Sequence, residues 1–356
     1  MDRESKQFLL DILNTPSPSG YEQPVQEIVR KRMKKYADSI STDLHGNVIV
    51  ALNPSAPRRI MLAGHADQIG FMVKSISNEG FIYVAALGGI DASVLWGSYL
   101  TIYGEKGPIK GIFGRKPIHS QPADERSRPT LDLEKMWVDI GAANKKEAEK
   151  LVKVGDLATM ELRAETFGKD LIVSPGLDDK VGLWVAMEAL KLCVDKKLNV
   201  GLYSVSTVQE ELGLRGARTA AYGIDPEVGI AIDVTFATDN PGGEGSKSAP
   251  CRIGKGPTVV RGPNINTEVE KQLYAIAKKN KIPYQLAPSP TPLGNDANAL
   301  QLSRGGVAAA SIGIPNRYMH TQVEMCSFSD INNAAKLLAL FVQSITNKVD
   351  FIPKVK

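Results

Sequence analysis

The sequence predicts an α/β fold interrupted by an inserted β-rich domain. Three observations carry that expectation. Apolar strand-like runs alternate with helical patterns at both ends of the chain. Between them lie short β-branched and aromatic runs punctuated by turn residues. The length, 356 residues, is also more than one compact core ordinarily needs. The expected division gives residues 1–70 and 164–356 to the α/β part and 71–163 to the insert.

Taken in order, the chain opens with a helical pattern that breaks at Pro16-Ser17-Pro18-Ser19-Gly20, before a helix over Tyr21–Tyr36. Val25, Ile28, Val29, Met33 and Tyr36 share one face of that helix. Arg30, Lys31, Arg32, Lys34 and Lys35 then read as its solvated side rather than as a nucleic-acid patch. Strand-like runs follow over Asn47–Leu52 and Arg59–Gly64. From Phe71 to about Arg163 the runs FMVKSI, FIYVAAL, SYLTIYG and KGIFG suit a small barrel or sandwich. After Leu171 the α/β pattern returns. A helix is expected over Lys180–Val194, strands over Val200–Val208 and Val228–Ile232, a helix over Thr267–Lys279 and a strand over Val307–Ile314. A last helix starts at Ser327, with Asp330 at capping-box spacing. Alternating strands and helices on both sides of the β-rich stretch make it an insertion into one α/β domain.

Several function classes are set aside by composition. Lys plus Arg exceed Asp plus Glu by 43 − 39 = 4, too mild an excess to call for nucleic acid. The chain is 43% hydrophobic and 23% charged, ordinary for a globular protein. Cys193, Cys251 and Cys326 are odd in number and widely spaced, which argues against a disulfide framework or a zinc finger. The charged start lacks the apolar core of a signal peptide, and no apolar run is long enough to span a bilayer. A cytoplasmic protein with no membrane partner is expected.

The ionisable residues gather where strands end. Arg59–Gly64 runs into His65-Ala66-Asp67, Val200–Val208 into Gln209-Glu210-Glu211, and Val228–Ile232 into Asp233. Ligands of open α/β sheets bind at the carboxyl ends of strands, so these groups point to one crevice. His320 also follows a strand–loop element, and the chain has only four histidines. Each piece alone has a plain alternative: Asp178-Asp179 before a helix, for example, reads in isolation as an N-cap. Their joint placement is what favours a metal site. Mixed imidazole and carboxylate donors suit zinc, cobalt or manganese, and two ions about 3.5–4 Å apart need a bridging carboxylate. A Glu-Glu pair can supply one ligand and one base. Other motifs fail: Gly242–Ser248 has the wrong order for a phosphate loop, and there is no GxSxG elbow and no HExxH.

The segments GHADQIG, SPGLDDKVG, STVQEELGLRGA, AIDVTFATDNPGG and NRYMHTQVEMCS together resemble the tetrahedral (TET-type) aminopeptidases, a family that includes glutamyl and deblocking enzymes and members mislabelled as endoglucanases. The resemblance spans nearly the whole chain, including the GxFGxxPxH-like stretch Gly111–His119. It implies a central mixed sheet flanked by helices, like the dinuclear zinc exopeptidases, with an inserted small β-barrel. It makes Asp178 a carboxylate bridging two divalent metal ions, with His65 and Asp233 on one and Glu211 and His320 on the other. Asp67 would orient His65, Asp179 would support the local turn, and Glu210 would be the general base acting on a metal-bridged water. The family also implies short peptides as substrates and a homo-oligomer, in which dimers formed through the inserted domain build a tetrahedral dodecamer.

This sequence departs from the family pattern at three places: Gln68 stands for Glu, Asn295 for Thr before Asp296-Ala297, and Gln322 for Pro after His-Thr. These positions are expected to shape substrate preference or metal affinity. His119 reads as a pocket or a loop residue, and His45 as a turn residue. A dinuclear carboxypeptidase or N-deacylase is the related alternative, and it would need an arginine such as Arg115, Arg126 or Arg128 to hold a substrate carboxylate. A non-catalytic peptide-binding scaffold is disfavoured because every proposed ligand and the base are chemically competent. A glycosidase would leave His65 and His320 without a role.

Overall fold

In this computed structural model, residues 1–121, 132–243 and 249–354 are described. Helices α1 (Arg3–Leu13) and α2 (Gln23–Met33) open the chain and precede strands β1 (Ser39–Thr42), β2 (Val48–Leu52) and β3 (Arg59–His65). Asp2 caps α1, its Oδ1 accepting the Ser5 N–H at 2.7 Å. Helix α2 is shorter than expected at both ends: Pro24 occupies its first turn and residues 34–36 form a turn.

Next come β4 (Gly70–Ile76), β5 (Ile82–Leu87), β6 (Tyr99–Gly104), β7 (Gly107–Gly114), β8 (Trp137–Asp139), the short helix α3 (Lys145–Ala148) and β9 (Leu157–Met160). These six strands close into an antiparallel barrel in the order β4-β5-β8-β7-β6-β9. Alternate residues fill its interior, among them Phe71, Val73, Leu100, Ile102, Phe113 and Val138. The Phe71 and Phe113 rings lie 5.0 Å apart at its centre. Closure gives each barrel strand a neighbour on both sides, although β5 and β8 meet only at Ile82 and Val138.

The remainder runs β10 (Glu165–Phe167), β11 (Leu171–Val173), α4 (Leu177–Lys191), β12 (Gly201–Thr207), α5 (Arg215–Ile224), β13 (Val228–Phe236) and β14 (Thr258–Arg261). It ends with α6 (Thr267–Lys279), β15 (Gln285–Pro288), α7 (Asp296–Gln301), β16 (Ala308–Asn316), β17 (Met325–Ser327) and α8 (Phe328–Ser344). Eight strands form a mixed sheet in the order β1-β2-β12-β3-β13-β16-β14-β15. Its centre, β12-β3-β13-β16, is parallel. The expected architecture, a mixed α/β sheet with a β-barrel insert, is the one observed. The edge strands β1 and β15 had no sequence signal because they are partly exposed and lack a strong apolar alternation, and β14 beside β15 is only four residues long.

Both faces of the parallel centre are covered, which explains its continuous apolar runs. Ile60, Leu62, Ile230 and Ile232 join the core beneath α4 and α8. Their neighbours Met61, Ala63 and Ala231 pack on the opposite face with α5 and α7. Helix α4 is apolar nearly all round and is buried from Leu177 to Leu190. Its start presses directly on the end of β3. A Cβ placed on Gly64 would lie 2.2 Å from the Gly182 carbonyl carbon, and one on Gly182 would lie 2.3 Å from Asp179 Oδ2. Two glycines thus bring the beginning of α4 against the residue that precedes His65.

Candidate metal centre

His65 is the last residue of β3 and pairs in register with Thr207, the last of β12. Just beyond, Gln209 takes a left-handed conformation, φ 54°, and the chain turns to present Glu210 and Glu211. Asp67 holds that turn. Its carboxylate is fully buried and accepts the Glu210 N–H at 3.0 Å, the Glu211 N–H at 3.2 Å and the Ser19 hydroxyl at 2.7 Å. The His65 ring is oriented at Nδ1, 2.9 Å from the Asp67 backbone carbonyl and 3.5 Å from its carboxylate. An N–H at Nδ1 leaves the Nε2 lone pair facing the crevice.

The pair Asp178-Asp179 divides two roles. Asp179 Oδ1 accepts the Gly182 N–H at 3.0 Å and its Oδ2 the His65 N–H at 3.1 Å. It is the helix cap, and it also ties the helix to β3. Asp178 instead faces the two imidazoles. Its Oδ1 is 3.2 Å from His65 Nε2 and its Oδ2 is 3.2 Å from His320 Nε2. Both aspartates depart from helical geometry, so the regular helix begins at about the expected Lys180.

Two sets of donors result: His65, Asp178 and Asp233, and Asp178, Glu211 and His320, each with candidate ligand atoms within 4.8 Å of one another. Asp178 belongs to both. Glu210 lies alongside, its Oε2 3.7 Å from His65 Nε2. Burial pushes the carboxyls of Asp179, Glu210, Glu211 and Asp233 above their ordinary range, and neighbouring carboxylates push further, Asp233 on Asp179 and Asp178 on Glu211. The bond to Asp178 lifts the His320 imidazole to about 9. Asp178 itself is held low: the two histidines outweigh its burial. Negative charge is therefore in excess, and divalent cations would relieve it. Glu211 Oε1 is buried without a hydrogen-bond partner, a free donor at the centre of the second set. The residues present fit divalent ions.

Glu324 was not singled out from the sequence, although it lies inside the last motif. It is buried, and one carboxylate joins two ligands: Oε2 accepts the Asp178 N–H at 2.8 Å and Oε1 the His320 N–H at 3.0 Å. His320 sits in the left-handed region, φ 62°, which this bond helps to hold. Glu324→Ala is expected to weaken metal affinity by about 10–100-fold, read by competition titration against a chelator. Unchanged affinity would leave Glu324 a packing role only.

Comparisons with known proteins show which family the chain belongs to. A family model described as M42 glutamyl aminopeptidase matches residues 46–337. The chain belongs to the M42 peptidase family. A lysyl aminopeptidase of Pyrococcus furiosus is 37% identical over 349 residues, covering 98% of this chain and 99% of that one. A TET aminopeptidase from a marine sediment Thaumarchaeota archaeon superposes with a TM-score of 0.93 at 33% identity, over 98% of each chain. The Pyrococcus horikoshii TET1 peptidase, described as assembling into a tetrahedron or a large octahedral shell, gives 0.84 at 29% identity, over 96% of this chain and 100% of that one. This M42 chain is accordingly a peptide hydrolase of the aminopeptidase type, and the resemblance to TET enzymes holds.

The departures from the family pattern divide on inspection. A cavity of about 660 Å³ opens beside the donor sets, and Asn295 lines it. Gln68 and Gln322 do not, so of the three only Asn295 can act on substrate preference through this wall. Gln68 is buried and accepts a hydrogen bond from Lys180 Nζ at 2.6 Å, while Gln322 reaches the Val94 carbonyl at 3.5 Å. Burial drives the Lys180 ammonium down to about 7. Beside a glutamate that lysine would gain a paired charge, whereas the glutamine offers only a neutral acceptor. His119 is exposed in a 3₁₀ turn outside the cavity, and His45 lies in a turn as expected. Arg115 stacks on Trp96, 4.0 Å from the ring centre, also outside the cavity. Arg126 and Arg128 lie outside the described residues. Among the described residues no helix is long and apolar enough to cross a membrane, and all three cysteines are buried and free.

Proposed function

We propose that this M42 peptidase removes single residues from the free N-termini of short peptides at a centre of two divalent ions. One would be held by His65, Asp178 and Asp233, the other by Asp178, Glu211 and His320. The observation that carries this reading is Asp178, whose two oxygens each face a different histidine at 3.2 Å. Zinc or cobalt suits the donors best, with manganese as a further fit. When bound, such ions would polarise the scissile carbonyl and acidify a water molecule.

The chain's own residues do the rest. Glu210 is kept from consumption as a ligand by its place beside both sets. At its Oε2 it takes a proton from the attacking water and returns it to the leaving amine. Asp67 is a positioning residue for this step: it grips the Glu210 and Glu211 backbone N–H groups and, through its carbonyl, orients His65. No arginine or lysine among the described residues lines the cavity. The described part of the wall thus offers a substrate carboxylate no cationic partner.

Residues 1–70 and 164–356 are read as the catalytic unit, and 71–163 as an inserted unit for dimerisation and for covering the site. Assembly into a homo-oligomer, with dimers building a tetrahedral dodecamer, follows the shells described for the P. horikoshii relative. A cytoplasmic setting suits free thiols at Cys193, Cys251 and Cys326.

Chelation with EDTA is expected to abolish hydrolysis of aminoacyl-p-nitroanilides, and adding back zinc or cobalt singly to restore it. N-acetylated versions of the same substrates should stay intact. Failure to cleave any free-amine substrate with any added metal would overturn the aminopeptidase reading, and cleavage of the blocked ones would favour a deacylase.

A further inference from the structure

We propose that the cavity beside the metal centre takes a neutral, apolar N-terminal side chain, of the leucine, methionine or phenylalanine class. The proposal rests on the aminopeptidase reading above and names its substrate.

The lining divides into two parts. Among the described residues, every charged group on it, namely Asp178, Glu210, Glu211, Asp233 and His320, belongs to the proposed metal centre. Beyond them the wall carries Val234, Phe236, Val260, Pro288, Leu293 and Met319, with a few hydroxyls and the Asn295 amide. Among the described residues it offers no cation to a glutamyl side chain and no separate carboxylate to a lysyl one. The arginines that flank the lining segments are already engaged. Arg317, two residues before Met319, pairs with Asp239 through two bonds of 2.8 and 2.6 Å. Arg261, next to Val260, pairs with Glu270 and lies against the Tyr274 ring. Against the described wall a charged side chain would lose hydration without gaining a partner, whereas an apolar one would cover surface otherwise left in water. Phe236 shows that surface most clearly: it is 70% exposed at the cavity. The volume of about 660 Å³ is ample for the larger apolar side chains. The preference would differ from the lysyl one in the name of the P. furiosus relative.

The test uses the full chain loaded with zinc and a panel of p-nitroanilides of Leu, Met, Phe, Glu, Asp, Lys and Arg. The kcat/KM for the three apolar residues is expected to exceed that for the four charged ones by at least about 100-fold. A charged residue that matches or exceeds them would overturn the proposal while leaving the aminopeptidase reading intact. If no substrate is cleaved, that reading falls and takes this one with it. Phe236→Arg, at an exposed position that does not carry the fold, should narrow the Leu-over-Glu ratio by about tenfold. An unchanged ratio would mean that the side chain is held elsewhere and would count against the proposal.

Discussion

Glu210→Gln is expected to lower kcat by about 100- to 10,000-fold while leaving the bound metal in place. The variant keeps the side chain's shape and loses only its capacity to take and return a proton. Glu210 stands outside both donor sets, and its backbone N–H remains fixed by Asp67, so the neighbouring Glu211 should not move. Turnover of a leucyl p-nitroanilide and metal content by elemental analysis, measured on the same preparation, check both halves. Wild-type turnover would remove Glu210 from the chemistry. Loss of metal along with activity would make it a ligand instead.

Asp178→Asn should be more damaging, and in a different way. Asp178 is the one residue common to both donor sets, and an amide offers one neutral oxygen in place of two charged ones. Affinity for the ions is expected to fall by more than about 100-fold, beyond the loss typical of an outer partner. Activity should fall with it and recover only partly at high added metal. The Asp178 N–H bond to Glu324 is untouched by the change, so an unaltered circular dichroism spectrum should accompany the loss. A variant that retains its full metal complement and turns over normally would sink the bridging assignment.

Much of the site was legible because of strand ends. His65, Glu211 and Asp233 each follow an apolar run, and in a parallel sheet the ends of neighbouring strands share one rim. The structure ends β3 at His65, where its run stops, and carries β13 past Asp233 to Phe236. Asp178 was legible only through family resemblance, since an aspartate before a helix is ordinarily a cap. The structure keeps that ordinary role for Asp179 and separates Asp178 from it.

What could not be read concerns groups whose partners are distant in sequence. Glu324 is a lone carboxylate in a loop motif until its two oxygens are seen to hold Asp178, 146 residues away, and His320. Asp67 resembled a partner for the His65 ring, yet its carboxylate is spent mainly on the backbone of Glu210 and Glu211. Gln68 was expected to bear on substrate preference or metal affinity, and it lies buried against Lys180, outside the cavity wall.

The sequence by itself determined the α/β pattern, a β-rich insert, the family and the chemical types of the site residues, because periodicity and short motifs are local properties; that the insert is a barrel came from the resemblance. Only the tertiary structure showed that Asp178 stands in both donor sets while Asp179 caps the helix, which carboxylates hold the backbone of others, and which side chains form the cavity wall. Those roles depend on where each oxygen points, and that direction is set by packing, such as the Gly64–Gly182 approach that brings the start of α4 against β3.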